Sequence, residues 1–164
     1  MKTKLFRIAL VLSLVLVALA GGCQSAPGVK GSAADLAAID KLWDQWIAAC
    51  NTGNLDLLMS LWVEDGVRMA PDTPTVLGKA NIRASEKPLF EQSVIKMVLY
   101  REKPLVSGNM AFSRGVAVLS MTPKDGGKTA TMRAKYGTLL LRQADGSWKV
   151  GVDNFSLDEP VKEE

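Results

Sequence analysis

The chain of 164 residues has no histidine and only two cysteines, Cys23 and Cys50. Without an imidazole, a Ser-His or Cys-His nucleophile is not available, and a zinc site loses its commonest nitrogen ligand. Two cysteines allow one disulfide at most, and Cys23, directly after a leader segment, is expected to be modified rather than paired, so Cys50 is left without an intramolecular partner. Neither a metal nor a cofactor is therefore expected. Aromatic residues make up 6% of the chain, with two tyrosines and four tryptophans, so each of them is a specific placement. No apolar run reaches the roughly 20 residues of a transmembrane helix. The longest, Ile8 to Leu19, is interrupted by Ser13.

That run has the layout of an export signal. Lys2, Lys4 and Arg7 form a basic start, the apolar run follows, and Ala20-Gly21-Gly22 precede Cys23. Three of the 20 Lys and Arg residues lie in this leader, which leaves 17 against 17 Asp and Glu in the rest of the chain. The apparent basicity belongs to the leader, and a nucleic-acid partner loses its electrostatic footprint. Ala20-Gly21-Gly22-Cys23 resembles the lipobox of bacterial lipoproteins, although Ala20 stands where a larger aliphatic is more usual. The resemblance implies acylation of Cys23 and a membrane anchor. With Gln24 next in the chain, it implies an envelope location at the outer membrane, facing the periplasm. The organisation that follows is a signal peptide over 1–22, a tether over 23–32, one domain over 33–158 and a charged tail over 159–164.

Within the domain, the stretch from Cys50 to Met69 organises the rest. Leu36, Ile39, Leu42, Trp43, Trp46, Ile47 and Cys50 recur at spacings of three and four, which predicts an amphipathic helix over 33–50 with Ser32 or Asp35 at its start. Gly53-Asn54 turns the chain, and Leu55 to Trp62 reads as a second helix ended by Asp65-Gly66. Val67 to Ala70 reads as a strand. A third helix runs from Lys79 to about Ser93, and Pro88 inside it is expected to bend or split it. After Ser93 the period changes to two. Val94–Val106, Met110–Thr122, Thr129–Gln143 and Ser147–Leu157 are strands, separated by Ser107-Gly108-Asn109, Lys124-Asp125-Gly126-Gly127 and Ala144-Asp145-Gly146. The class is α+β, with three N-terminal helices packed on a curved antiparallel sheet.

Leu42-Trp43-Asp44-Gln45-Trp46, Asn51-Thr52-Gly53-Asn54-Leu55-Asp56, Leu61-Trp62-Val63-Glu64-Asp65-Gly66-Val67 and the closing Asp145-Gly146-Ser147-Trp148-Lys149-Val150 follow one another in a set order. Pro71, Gly78-Lys79 and Ile82 lie between the third and fourth of these motifs, and Asp153-Asn154-Phe155-Ser156 ends the series. Together they resemble the NTF2-like superfamily, with its SnoaL-like and DUF4440-type domains, over roughly residues 34–157. The resemblance implies a conical cavity between helices and sheet, and a homodimer formed through the sheet. It leaves activity open, because the fold hosts isomerases, dehydratases, cyclases and binding modules. In the steroid-isomerase branch, the catalytic tyrosine falls on Trp46 and the general-base aspartate on Ala70. An indole N–H is no phenolic acid and a methyl takes no proton, so that chemistry does not transfer.

Candidate site residues come from the aromatics and from polar groups inside strands. Trp43 and Trp46 stand one helical turn apart, with Trp62 within reach across the helical pair; core packing competes with ligand stacking for all three. Trp148 reads as packing. Met69, Tyr100 and Tyr136 are further candidate lining residues. Arg114 either points into the cone, where it would select an anion, or lies on a solvated outer face with Arg133, Lys135 and Arg142. Asp153 and Asn154 are adjacent in the last strand, so at most one of them faces inwards. Asp153, if inward, would have a raised pKa and serve as a base; Asn154 is the alternative polar contact. The preferred reading is a lipid-anchored envelope protein that binds a small apolar or amphipathic ligand. A lyase or isomerase of SnoaL or ketosteroid-isomerase type and a protein-interaction module are the alternatives.

Overall fold

The computed structural model describes residues 31–163; the leader, Cys23 and the tether up to residue 30 lie outside them. Helix α1 (Ala33–Thr52) starts at a capping box. The Ser32 hydroxyl accepts from the Asp35 amide at 3.1 Å, and the Asp35 carboxylate accepts from the Ser32 amide at 3.1 Å. Gly53 ends the helix at φ 66°, a left-handed conformation that glycine adopts without a Cβ penalty, and its N–H is donated to the Ala49 and Cys50 carbonyls. Asn54 then caps α2 (Leu55–Ser60), accepting from the Leu57 amide at 2.9 Å.

Strand β1 (Trp62–Met69) follows directly, and here the expected second helix is corrected. It stops at Ser60, because the Leu61 carbonyl accepts from the Val150 amide at 2.8 Å and Trp62 is registered beside Val150. Glu64, Asp65 and Gly66 therefore sit within a strand rather than at a helix stop. After β2 (Val76–Leu77), helix α3 (Lys79–Gln92) contains Pro88 and remains one helix, not two. The strands β3 (Ser93–Arg101), β4 (Leu105–Ser107), β5 (Met110–Pro123), β6 (Ala130–Arg142) and β7 (Trp148–Leu157) complete the domain. The single strand expected over 94–106 is divided, with Pro104 in the break. Within the charged tail, Lys162–Glu163 forms β8 on the start of β6, beyond the point where β7 ends.

The sheet order is β2-β1-β7-β6-β5-β3, with β4 on β5 and β8 on β6. It is curved, unclosed and mixed rather than antiparallel throughout, because β1 runs parallel to β7. Parallel neighbours need a long crossover; α3 lies within the chain that separates them, after the first strand as the sequence led one to expect. The inner face of the sheet carries Ile95, Met97, Ala117, Leu119, Tyr136, Leu140 and Val150 into one core with Ile39, Leu42, Trp43, Trp46, Leu58 and Trp62. Asn51 fixes the end of α1 to β3: its side chain accepts from the Met97 amide at 2.7 Å and donates to the Met97 carbonyl at 3.3 Å. Among the described residues no helix is long and apolar enough to cross a membrane.

Candidate ligand-binding site

The parallel pairing of β1 with β7 decides what the sequence left open. Arg68 is registered beside Asp153, and Met69 beside Asn154. Parallel neighbours in register share a face. Arg68 and Asp153 therefore point together into the cone, while Met69 and Asn154 point out together and are exposed.

Under the helices lies a cavity of about 90 Å³, walled by Trp43, Trp46, Met97, Ala117, Leu119, Tyr136 and other apolar side chains. One end is polar. An Arg68 guanidinium nitrogen lies 2.9 Å from a Glu86 carboxylate oxygen and another lies 3.6 Å from one of Asp153. The Thr138 hydroxyl, itself fully buried, donates to the other Asp153 oxygen at 3.0 Å. The Arg68 guanidinium also stands 5.4 Å from the centroid of the Phe155 ring. Asp153 is 6% exposed and Glu86 8%, so one cation is held between two carboxylates that are almost out of water.

Burial raises the pKa of both acids, since the charged form loses its hydration; Arg68 pulls each back down, and Thr138 does so for Asp153. Burial also pushes the Cys50 thiol up to about 12, with the charge of Glu86 adding to the effect, so this cavity-lining cysteine is unreactive. Tyr136 is raised by burial as well. Its hydroxyl has no hydrogen-bond partner among the described residues, although Ser113 lies close enough to lower its pKa. The Ser113 hydroxyl is taken up by Trp43, whose indole N–H is donated to it at 3.0 Å.

Of the residues singled out from sequence, Trp43, Trp46, Tyr136 and Asp153 line the cavity. The others do not. Trp62 is 1% exposed and packs its ring 5.7 Å from Trp46, in the core beside the cavity. Tyr100 is 62% exposed on the outer face of β3. Arg114 is exposed on β5, where it donates to Glu102 at 2.7 Å, so it selects nothing inside the cone. Met69 and Asn154 are corrected by the register given above. Arg133 and Lys135 pair with Asp158, and Arg142 pairs with Asp35 while covering the Trp148 ring at 4.6 Å. Sequence reasoning missed Arg68, Glu86 and Thr138. For Glu86 there was a signal, since it stands midway between Ile82 and Phe90 at steps of four, a charge inside the apolar stripe of α3.

A family model for the SnoaL-like domain matches residues 39–157. The chain belongs to the SnoaL-like family. Solved structures agree on the fold of this SnoaL-like domain. A ketosteroid isomerase-like protein from Erwinia carotovora atroseptica is 24% identical with a TM-score of 0.70, over 79% of this chain and 100% of its own. A conserved protein from Planctomyces limnophilus is 22% identical at a TM-score of 0.70, over 80% and 98%. An NTF2-like superfamily protein from Salmonella enterica serovar Typhimurium is 12% identical at 0.69, over 79% and 95%. No curated protein matches the chain in sequence.

Proposed function

We propose that this SnoaL-like domain binds a small, largely apolar molecule in its cone, with one polar group of the ligand set against the Arg68–Glu86–Asp153 end. The observation that carries the reading is an apolar cavity closed by a single buried polar cluster. Ligand sites have this composition, apolar walls with a few convergent polar groups. The unpartnered Tyr136 hydroxyl supports the reading, because a buried polar atom without a partner costs free energy that a ligand would recover. Native mass spectrometry of the protein purified without detergent, beside Ala117→Phe to fill the cavity, is the test. A reproducible extra mass that the variant loses supports binding; equal retention by both proteins would place the ligand elsewhere.

A second reading has one observation in its favour. Asp153 lies in the cavity wall with a raised pKa, as a general base of a lyase or isomerase would. Against it, both carboxylate oxygens are already engaged, by Arg68 and Thr138. Turnover of a carbonyl substrate that survives Asp153→Asn unchanged would remove this reading.

The setting belongs to the same proposal: a bacterial envelope protein held at the membrane by acylated Cys23. Cys23→Ser should release it to the soluble fraction, and continued membrane retention would refute the anchor. The domain would pair as a homodimer through the outer sheet face, where Val94, Val98, Tyr100, Leu105, Met110 and Phe112 are all exposed. A protein-interaction role would use this same face. Light scattering should give twice the chain mass, and Phe112→Glu should halve it; a monomeric parent protein would refute the dimer.

A further inference from the structure

Beside the inner cavity lies an outer groove of about 730 Å³, lined by Ala70, Thr73, Pro74, Thr75, Val76 and Leu77 on one side and by Asn81 and Ser85 of α3 on the other. Arg68 and Glu86 are the two residues that line both spaces. The ion pair between them, 2.9 Å long, thus borders both cavity and groove.

The sizes of the two spaces are complementary. The inner cavity, at about 90 Å³, is smaller than the roughly 300 Å³ at which small-molecule pockets begin, and smaller than the ~150 Å³ apolar cavity that takes up benzene. It takes a short chain as it stands, and one small ring only with a slight opening of its walls. A larger ligand has to extend beyond the cavity, and the groove is the space that shares lining residues with its polar end.

The chemistry of the groove fixes the kind of group it receives. Its charged residues, Arg68 and Glu86, are already paired with each other. Three of its neutral polar side chains have spent donors on the backbone: Thr73 donates to the Ala70 carbonyl at 3.2 Å, Asn81 to Leu77 at 2.9 Å and Ser85 to Ile82 at 2.8 Å. Each hydroxyl retains acceptor capacity, and so does the Asn81 side-chain carbonyl. Such a surface meets a group rich in donors and without charge.

We infer that cavity and groove form one bipartite site for an amphipathic molecule, its apolar body in the cone and an uncharged, hydroxyl-rich head in the groove, joined past the Arg68–Glu86 pair. The inference rests on the cone being a binding site and adds the class of ligand.

Calorimetric titration of the purified protein with two probes tests it: phenol, a single ring with one hydroxyl, and phenyl β-D-glucoside, the same ring with a polyol attached. The glucoside should bind more tightly, by about tenfold or more. In Asn81→Leu, and independently in Thr75→Val, the ratio of the two affinities should fall towards one. Melting temperatures of both variants report that they fold. Phenol binding with no advantage for the glucoside would overturn the bipartite site and leave the inner binding site standing. Glucoside preference unmoved in both variants would overturn the groove as its location. Binding of neither probe would count against the cone as well.

Discussion

Replacing Arg68 by methionine separates a buried charge cluster from an ordinary surface ion pair. The side chains of Glu86 and Asp153 are 10% and 9% exposed, so without the guanidinium two carboxylates face each other with little water and no counter-ion. Losing one partner of a buried pair costs about 3–5 kcal/mol, against ~0–1 kcal/mol for an exposed pair. In a domain of this size the larger figure corresponds to a drop of roughly 10–20 °C in Tm. The pH dependence is more diagnostic. Both acids have folded-state pKa values above the ordinary ones, so the folded chain keeps protons that the unfolded chain has already lost. Stability therefore falls as pH rises from the unfolded values through the folded ones, by up to about 1.4 kcal/mol per unit for each group. Arg68 holds both folded values down, and its removal extends that window upwards. Urea unfolding should show a larger deficit for Arg68→Met at pH 8 than at pH 5, with Arg68→Lys between it and the parent. A deficit below about 1 kcal/mol at pH 8, or one equal at the two pH values, would refute the reasoning.

Three further changes test the surroundings of the cluster. Trp43→Phe leaves the buried Ser113 hydroxyl without its donor and should cost about 1–3 kcal/mol in urea unfolding; a change within error would mean that water satisfies the site. Tyr136→Phe removes a hydroxyl that has no partner among the described residues, so stability should stay level or rise by up to ~1 kcal/mol while affinity for phenol falls; a marked loss of stability would reveal a hydrogen bond from that hydroxyl. A Cβ at Gly115 would overlap the Tyr100 carbonyl oxygen and press on the Tyr136 hydroxyl, so Gly115→Ala should lower stability by about 1–3 kcal/mol and loosen β3 from β5, seen as faster amide exchange in β3; unchanged exchange would refute the close approach.

The sequence made the outer frame of this domain legible and hid its centre, for identifiable reasons. Helix α1 was readable because seven apolar residues kept a single period, and β5 to β7 because turns with glycine separate them. Leu61 to Asp65 was misread because Leu-Trp-Val continues an apolar run that fits either a helix or a strand. A backbone hydrogen bond to β7, some 90 residues away, decides it. That same pairing was the information missing for Asp153. Strand parity says that Asp153 and Asn154 face opposite ways, and only the neighbouring strand says which of them is inside. Arg68 was overlooked for the converse reason: β1 was expected to begin at Val67, and so short a strand does not show an alternation.

The position of the charged cluster is itself an argument about its role. Taking two carboxylates and a guanidinium out of water is costly, and well-packed apolar side chains of the same volume are often the more stable choice. Elsewhere in this inner face the chain takes that choice, with Ile95, Met97, Ala117 and Leu119. It departs from it at the end of the cavity, where Arg68 and Glu86 border the outer groove. An ion pair kept only for stability would do as well on the exposed rim, where Arg114 and Glu102 already form one. Bordering both spaces, the pair instead gives the cone a polar end with fixed donors and acceptors, which is what the proposed ligand site requires.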